Sequence, residues 1–190
     1  MKKKVEFFFD INSPYTYLAS LSVEQLMRDC DAELVWRPFL LGAVFKLTGN
    51  SSPMTVPAKG KYLFSDLTDL LAYHKAPFNF PKQFPLNSIL AMRTLTGLTQ
   101  EEIPDAAHKL FKAYWVDGID ISDEKIVTEL TNESAVVKAT TTEIKEQLKT
   151  TTQDAVDRGA FGSPTFYVDD KMFFGSDRMF LLEAYLKGEY

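Results

Sequence analysis

One cysteine, Cys30, stands among 190 residues. A lone thiol excludes an intrachain disulfide and any Cys-x-x-Cys redox pair. Histidine is almost as scarce: His74 and His108 are isolated from one another, and neither belongs to a ligand-spaced motif, so no metal site is expected. No stretch approaches the roughly 18 apolar residues that span a bilayer. The apolar run Val5–Phe9 is too short for a secretory signal and meets Asp10 at once. Glycine-rich phosphate motifs are absent, and no G-x-S-x-G elbow supports a Ser-His-Asp hydrolase. The one basic run is Lys2-Lys3-Lys4, and the net charge is −5, which argues against a nucleic-acid partner. These absences lead to the expectation of a soluble cytoplasmic protein with no membrane contact.

What the chain does contain is ordered. Val5-Glu6-Phe7-Phe8-Phe9 reads as a strand buried on both faces. From Ser13 the spacing of Leu18, Leu21 and Leu26 predicts one helix ending near Asp31-Ala32, and Glu33–Arg37 predicts a second strand closed by Pro38. Strand, helix and strand in about forty residues form a βαβ unit with parallel strands. Glycines and prolines over residues 42–61 predict a long irregular loop. Residues 62–158 read as mostly helical, with Thr99-Gln100-Glu101-Glu102 as a capping box, Ser122 as a helix cap and Gly159 as a helix stop. Thr165–Val168, a turn at Asp169-Asp170 and Met172–Phe174 predict an antiparallel hairpin, and Asp177–Leu186 a last helix. The order βαβ, helices, ββα is an α/β thioredoxin-like layout. Residues 1–61 and 159–190 are assigned to the thioredoxin-like domain, and 62–158 to an inserted all-helical domain.

Three segments have room for chemistry. In D-I-N-S-P-Y-T-Y-L, Ser13 and Pro14 match a helix N-cap followed by proline in the first turn, which contributes about 1 kcal/mol. The same helix start also favours a bound anion, and a thiolate held by the Ser13 hydroxyl is such an anion. In G-A-F-G-S-P-T-F, the Ser163-Pro164 pair is simply a strand entry if the bond is trans. If it is cis, the Ser163 backbone faces outward, ready to pair with an extended peptide. In F-F-G-S-D-R-M, Ser176 or Asp177 is a natural helix cap, and the same helix start can receive a carboxylate, with Arg178 adjacent. Asn50 and Lys59 lie in the long loop, where an exposed lysine is either merely solvated or a partner for a carboxylate.

These segments, with L-L-G-A-V-F-K-L-T-G-N-S-S-P-M-T-V-P-A-K-G-K-Y and L-A-M-R between them, occur in an order that resembles the 2-hydroxychromene-2-carboxylate isomerases and kappa-class glutathione transferases. Both belong to the DsbA-like branch of the thioredoxin superfamily, and the resemblance runs along nearly the whole chain. It implies that glutathione is the cofactor and that Ser13 activates its thiol where the disulfide oxidoreductases carry a reactive cysteine. It further implies that Asn50, Lys59, Ser163, the cis-proline Pro164, Ser176, Asp177 and Arg178 bind glutathione, and that the protein is a homodimer. A serine cannot form a mixed disulfide but can donate a hydrogen bond to sulfur and so lower the thiol pKa. In an isomerase of this kind the thiolate adds reversibly to a conjugated 2-oxo acid; in a transferase it stays on an electrophile. A second pocket is expected between the helical insertion and the aromatic residues near Tyr15 and Tyr17. Asn87 and Arg93, placed on a predicted helix, are candidates to meet a substrate carboxylate there. A glutathione-dependent isomerase of aromatic catabolism is the first expectation, a kappa-type transferase the second, and a non-catalytic thiol- or peptide-binding module the third.

Overall fold

The computed structural model describes residues 2–190. Its sheet has four strands in the order β2-β1-β3-β4 among the described residues. Of these, β1 is Lys4–Phe9, β2 Glu33–Pro38, β3 Thr165–Val168 and β4 Lys171–Phe174. β1 pairs parallel with β2 and antiparallel with β3, and β3 pairs antiparallel with β4. The βαβ and hairpin expectations both hold. β1 is central because its side chains are apolar on both faces. Val5, Phe7 and Phe9 point into the larger hydrophobic cluster, and Phe8 into a smaller one with Phe39, Val44, Ala155, Ala160 and Tyr167. Past the exposed Lys4 at its start, charge appears only at Glu6, which pairs with Arg158 at 2.6 Å and Arg37 at 3.4 Å on the side of the smaller cluster.

The expected single helix after Ser13 is two: α1 (Pro14–Ser20) and α2 (Val23–Asp29). The break has a local cause. The Ser20 hydroxyl donates back to the Tyr17 carbonyl, and the N–H groups of Leu21 and Ser22 bond three residues back, to Leu18 and Ala19. Serine competing in this way for the helix carbonyls interrupts the regular ladder.

The expected loop over 42–61 is largely helical: α3 (Leu41–Thr48), a 3-10 turn (Pro53–Thr55) and the start of α4 (Pro57–His74). Pro53 and Pro57 occupy first-turn positions, where the missing N–H is not needed, and Gly49 closes α3 in the left-handed region at φ +71°. The breakers mark helix ends rather than irregular chain.

The remaining helices are α5 (Ile89–Thr96), α6 (Ile103–Trp115), α7 (Glu124–Leu130), α8 (Glu133–Ala139), α9 (Thr142–Asp157) and α10 (Met179–Lys187). The caps differ in detail from expectation. Asp123, not Ser122, caps α7 through the Lys125 N–H, because Ser122 donates its hydroxyl to Asp120. Half of the capping box forms, the Glu102 carboxylate accepting from the Thr99 N–H at 2.9 Å. Gly159 follows α9 with φ +98°, as a helix stop should.

The larger cluster continues from the sheet into the inserted helices. Phe9 approaches Phe111 of α6 with ring centroids 6.3 Å apart, and the buried Trp115 indole donates to the Ile11 carbonyl at 2.7 Å. Asn12 adds a polar tie: its side chain donates to the Leu86 carbonyl and the Ser88 hydroxyl and accepts from the Leu86 N–H. The inserted helices are thereby anchored one residue from Ser13. No helix among the described residues is long and apolar enough to cross a membrane.

Candidate functional site

Ser13 sits at the turn between β1 and α1, with extended backbone (φ −96°, ψ 117°) and its Oγ accepting from the Thr16 N–H at 3.2 Å. The N-cap reading is therefore correct. The same Oγ donates to the Ser163 carbonyl at 2.9 Å, which binds the cap to a loop 150 residues away. The Ser163–Pro164 bond is cis. Ser163 Oγ lies 2.8 Å from Thr16 Oγ1 and accepts from the Asp10 N–H at 3.3 Å. The Ser163 N–H and the Tyr15 N–H are left without a protein acceptor among the described residues. One hydroxyl and two backbone donors thus gather at the start of α1.

The loop carrying Ser163 is held from both sides. Asn50, just past α3, donates from Nδ2 to the Phe161 carbonyl at 2.8 Å, and the Pro164 carbonyl accepts from the Gly175 N–H at 3.0 Å. Two glycines here have different causes. A Cβ on Gly162 would stand 2.7 Å from the Phe174 ring, whereas Gly175 has φ +94°, a conformation that L side chains rarely adopt. Gly175 is followed by a 3-10 turn, Ser176–Arg178, which packs on α1 and leads into α10. Neither Ser176 nor Asp177 caps a helix with its side chain. The turn starts from the glycine, and the Asp177 carboxylate pairs with Arg178 at 2.6 Å. Gly175→Ala is expected to strain this turn, because alanine tolerates φ +94° poorly, and to cost roughly 1 kcal/mol or more of stability, which chemical unfolding measures.

Beyond the start of α1 lies an open cleft of about 410 Å³ lined by Tyr15, Pro53, Ala58, Lys59, Tyr62 and Leu63. Its walls are mostly apolar, and Lys59, in the first turn of α4, is the charged group among its lining residues. Tyr15 donates to Asp66 Oδ2 at 2.7 Å. Burial first, then the hydrogen bond and charge of Asp66, hold the phenol pKa well above its usual value, so Tyr15 stays neutral at physiological pH. Tyr17 does not line the cleft: it is buried and donates to the Pro77 carbonyl. Asn87 precedes α5 rather than lying on it, and its Oδ1 accepts from the Ile89 N–H. Arg93 is on α5, which packs against β2, α6, α8 and α9, and is not part of the cleft lining. Cys30 is at the far end of α2, its thiol pKa raised by burial.

The residues present suit a glutathione thiolate. Unpaired N–H groups at Ser163 and Tyr15 await an acceptor, the Ser13 hydroxyl can donate, and Lys59 and Asp177 carry charges complementary to a carboxylate and an ammonium. A match to the DSBA-like thioredoxin domain covers residues 4–187. The chain belongs to that family. It is 33% identical over 210 residues to the human protein named glutathione S-transferase kappa 1, covering all of this chain and 92% of the relative. It is 30% identical over 198 residues to the 2-hydroxychromene-2-carboxylate isomerase of Sphingobium xenophagum, covering 98% and 99% of the two chains. The solved structure of a 2-hydroxychromene-2-carboxylate isomerase superposes with a TM-score of 0.86 at 26% identity, over 98% of this chain and 95% of that one. These DsbA-like relatives are enzymes, and the fold with its helical insertion is theirs.

The order of the sequence motifs predicted which loops would meet, but two participants went unnoticed. Thr16 reads as an ordinary helix residue, yet it meets Ser163. Asp10 reads as the end of a strand, yet it is 1% exposed and its carboxyl pKa is raised by burial against the opposing effect of hydrogen bonds from Asn12, Leu41 and Ser88. Its position three residues before Ser13 was the available signal. A carboxyl raised on folding binds protons more tightly in the folded state. Its contribution to stability is therefore greatest at acid pH and declines as pH rises from the ordinary carboxyl range through the raised value. Asp10→Asn is expected to flatten that decline, measured as chemical unfolding midpoints across the acid range.

Proposed function

We propose that this enzyme binds glutathione at the start of α1 and uses it as an isomerase of the 2-hydroxychromene-2-carboxylate type. The observation that carries this reading is the convergence of the Ser13 hydroxyl with the unpaired N–H groups of Ser163 and Tyr15. When bound, glutathione supplies a thiolate that adds reversibly to a conjugated 2-oxo acid. The Ser13 hydroxyl has a single proton, which it donates to the Ser163 carbonyl. Donating it to sulfur means turning it away from that carbonyl, whose second lone pair and neighbouring N–H then remain for the cysteinyl backbone. Asn50 steadies the Ser163 loop, Lys59 faces a carboxylate of the tripeptide, and Ser176, Asp177 and Arg178 receive its γ-glutamyl end. Pro164 holds the Ser163 backbone toward the ligand. The substrate ring occupies the apolar cleft beside Tyr15 and Tyr62, with Asn87 and Arg93 as outer candidates for its carboxylate. A homodimer, a cytoplasmic location and a role in aromatic catabolism complete this reading.

The relationship to a kappa transferase at 33% identity supports a second reading, conjugation of glutathione to electrophiles. Incubation of the purified protein with glutathione and 2-hydroxychromene-2-carboxylate separates the two. Isomer appearing with no net loss of free thiol is the expected result. Turnover of chlorodinitrobenzene with stoichiometric thiol loss, and no isomerisation, would favour transfer instead. No turnover in either assay, with glutathione still bound, would leave the non-catalytic module as the correct reading.

A further inference from the structure

Asp10 touches Ser13, Ser163 and the start of α3, and has no role in the chemistry described above. Its main-chain carbonyl accepts from the Ser13 N–H at 3.1 Å, and its N–H donates to Ser163 Oγ at 3.3 Å. One carboxylate oxygen accepts from the Asn12 N–H at 3.0 Å, and the other from the Leu41 N–H at 2.8 Å. Leu41 is the first residue of α3, the helix that leads to Asn50. Two neutral groups complete its surroundings: the Ser88 hydroxyl, 3.0 Å from Asn12 Nδ2, is near enough to hold the carboxyl pKa down, and the carboxyl's charge is felt by Tyr114 of α6, whose hydroxyl donates to the Gln83 carbonyl. These partners are neutral, so the carboxylate does not serve as half of an ion pair with any of them. It gathers backbone donors from two separate elements at a point 1% exposed to solvent.

We infer that Asp10 is a positioning residue, holding the Ser13 turn and the start of α3 in one register so that the Ser13 hydroxyl and the Asn50-braced loop meet the same thiol. This rests on the proposed glutathione reading and extends it to a residue outside the ligand's reach. The geometry explains why an acid is needed. The Asn12 and Leu41 donors arrive on different oxygens, so both oxygens must accept. An asparagine presents one acceptor and an NH₂ group, and the NH₂ then opposes one of the two N–H groups. A leucine offers neither acceptor and leaves both donors buried and unpaired.

The test is a double-mutant cycle with Ser13, read in the isomerisation of 2-hydroxychromene-2-carboxylate at saturating glutathione and in the ultraviolet thiolate absorbance of bound glutathione. Asp10→Asn is expected to slow turnover about 10- to 100-fold, the scale of a misplaced catalytic group, and to reduce the thiolate signal. In a Ser13→Ala background the same substitution is expected to cost under twofold, because the group it positions is gone. Leu41→Pro gives an independent arm should Asp10→Asn not fold. Proline is accommodated at a first helical position, and Leu40 before it is already extended at φ −104°, ψ 106°. It removes one donor to Asp10 and leaves the acid in place, with an expected loss of a few-fold that also vanishes in the Ser13→Ala background. Equal losses in both backgrounds, or no loss from either substitution with Ser13 present, would overturn the inference. If Ser13→Ala itself leaves turnover and thiolate signal intact, the role of Ser13 fails, and if the unsubstituted protein binds no glutathione the glutathione reading fails; each is a separate result.

Discussion

Ser13→Ala is expected to slow glutathione-dependent turnover about 100-fold, the scale seen when one preorganised donor to a developing anion is removed. On the proposed reading glutathione affinity should change only a few-fold, since Lys59 and Asp177 remain and the Ser163 loop, though it loses its bond to the hydroxyl, is still held by Asn50 and Gly175. The effect belongs to the thiolate: without a donor at its sulfur the bound thiol should titrate at higher pH, and the rate lost at neutral pH should be partly recovered in alkaline buffer. Steady-state kinetics across pH, with titration calorimetry for binding, check all three statements. Stability should fall separately, by about 1 kcal/mol, because the same oxygen caps α1 through the Thr16 N–H. A variant with unchanged kcat at neutral pH would remove Ser13 from the chemistry and leave it only as a cap.

The second large effect lies in the sheet. Phe7 is 0% exposed, stacked on Phe166 with ring centroids 4.9 Å apart and edge-on to Trp36 at 5.0 Å. Phe7→Ala removes a ring shared by three strands, and its neighbours cannot collapse inward without breaking the β1 ladders. A loss of about 3–5 kcal/mol is expected, a large part of the roughly 5–15 kcal/mol that holds a domain folded. Urea unfolding followed by tryptophan fluorescence measures it directly, because Trp36 reports on the same contact. A loss below 1 kcal/mol would mean that the cluster repacks around the void.

Elements with strong local signals were legible from residues alone. Continuous apolar side chains made β1 a strand buried on both faces. The Asp169-Asp170 turn between aromatic runs made a hairpin, and Ser13-Pro14 made a helix start. The collinear D-I-N-S-P, G-S-P and G-S-D-R segments, singled out in the sequence, are brought together at the start of α1. Glycine and proline misled over residues 42–61, since a breaker at a helix end and a breaker in a loop look alike in sequence. Gly49 and the two prolines take their meaning from the φ angle and the helical position that each occupies. Arg93 shows a second limit: helical periodicity gives the face of a helix but not which neighbour that face meets, and Arg93 is not among the residues lining the cleft.

By itself, then, the sequence determined that this chain starts a helix with Ser13 and Pro14 and has no second thiol with which to do redox chemistry. That follows from residue identity alone, because serine cannot form a disulfide and Cys30 has no cysteine partner in the chain. Only the tertiary structure decided what Ser13 faces. The Ser163 carbonyl reaches it across 150 residues, and Asp10, silent in the sequence, proves to be a buried acceptor for donors from both sides of the site. Local preferences act over a few residues, whereas a hydrogen bond between two loops forms only after the sheet between them has closed.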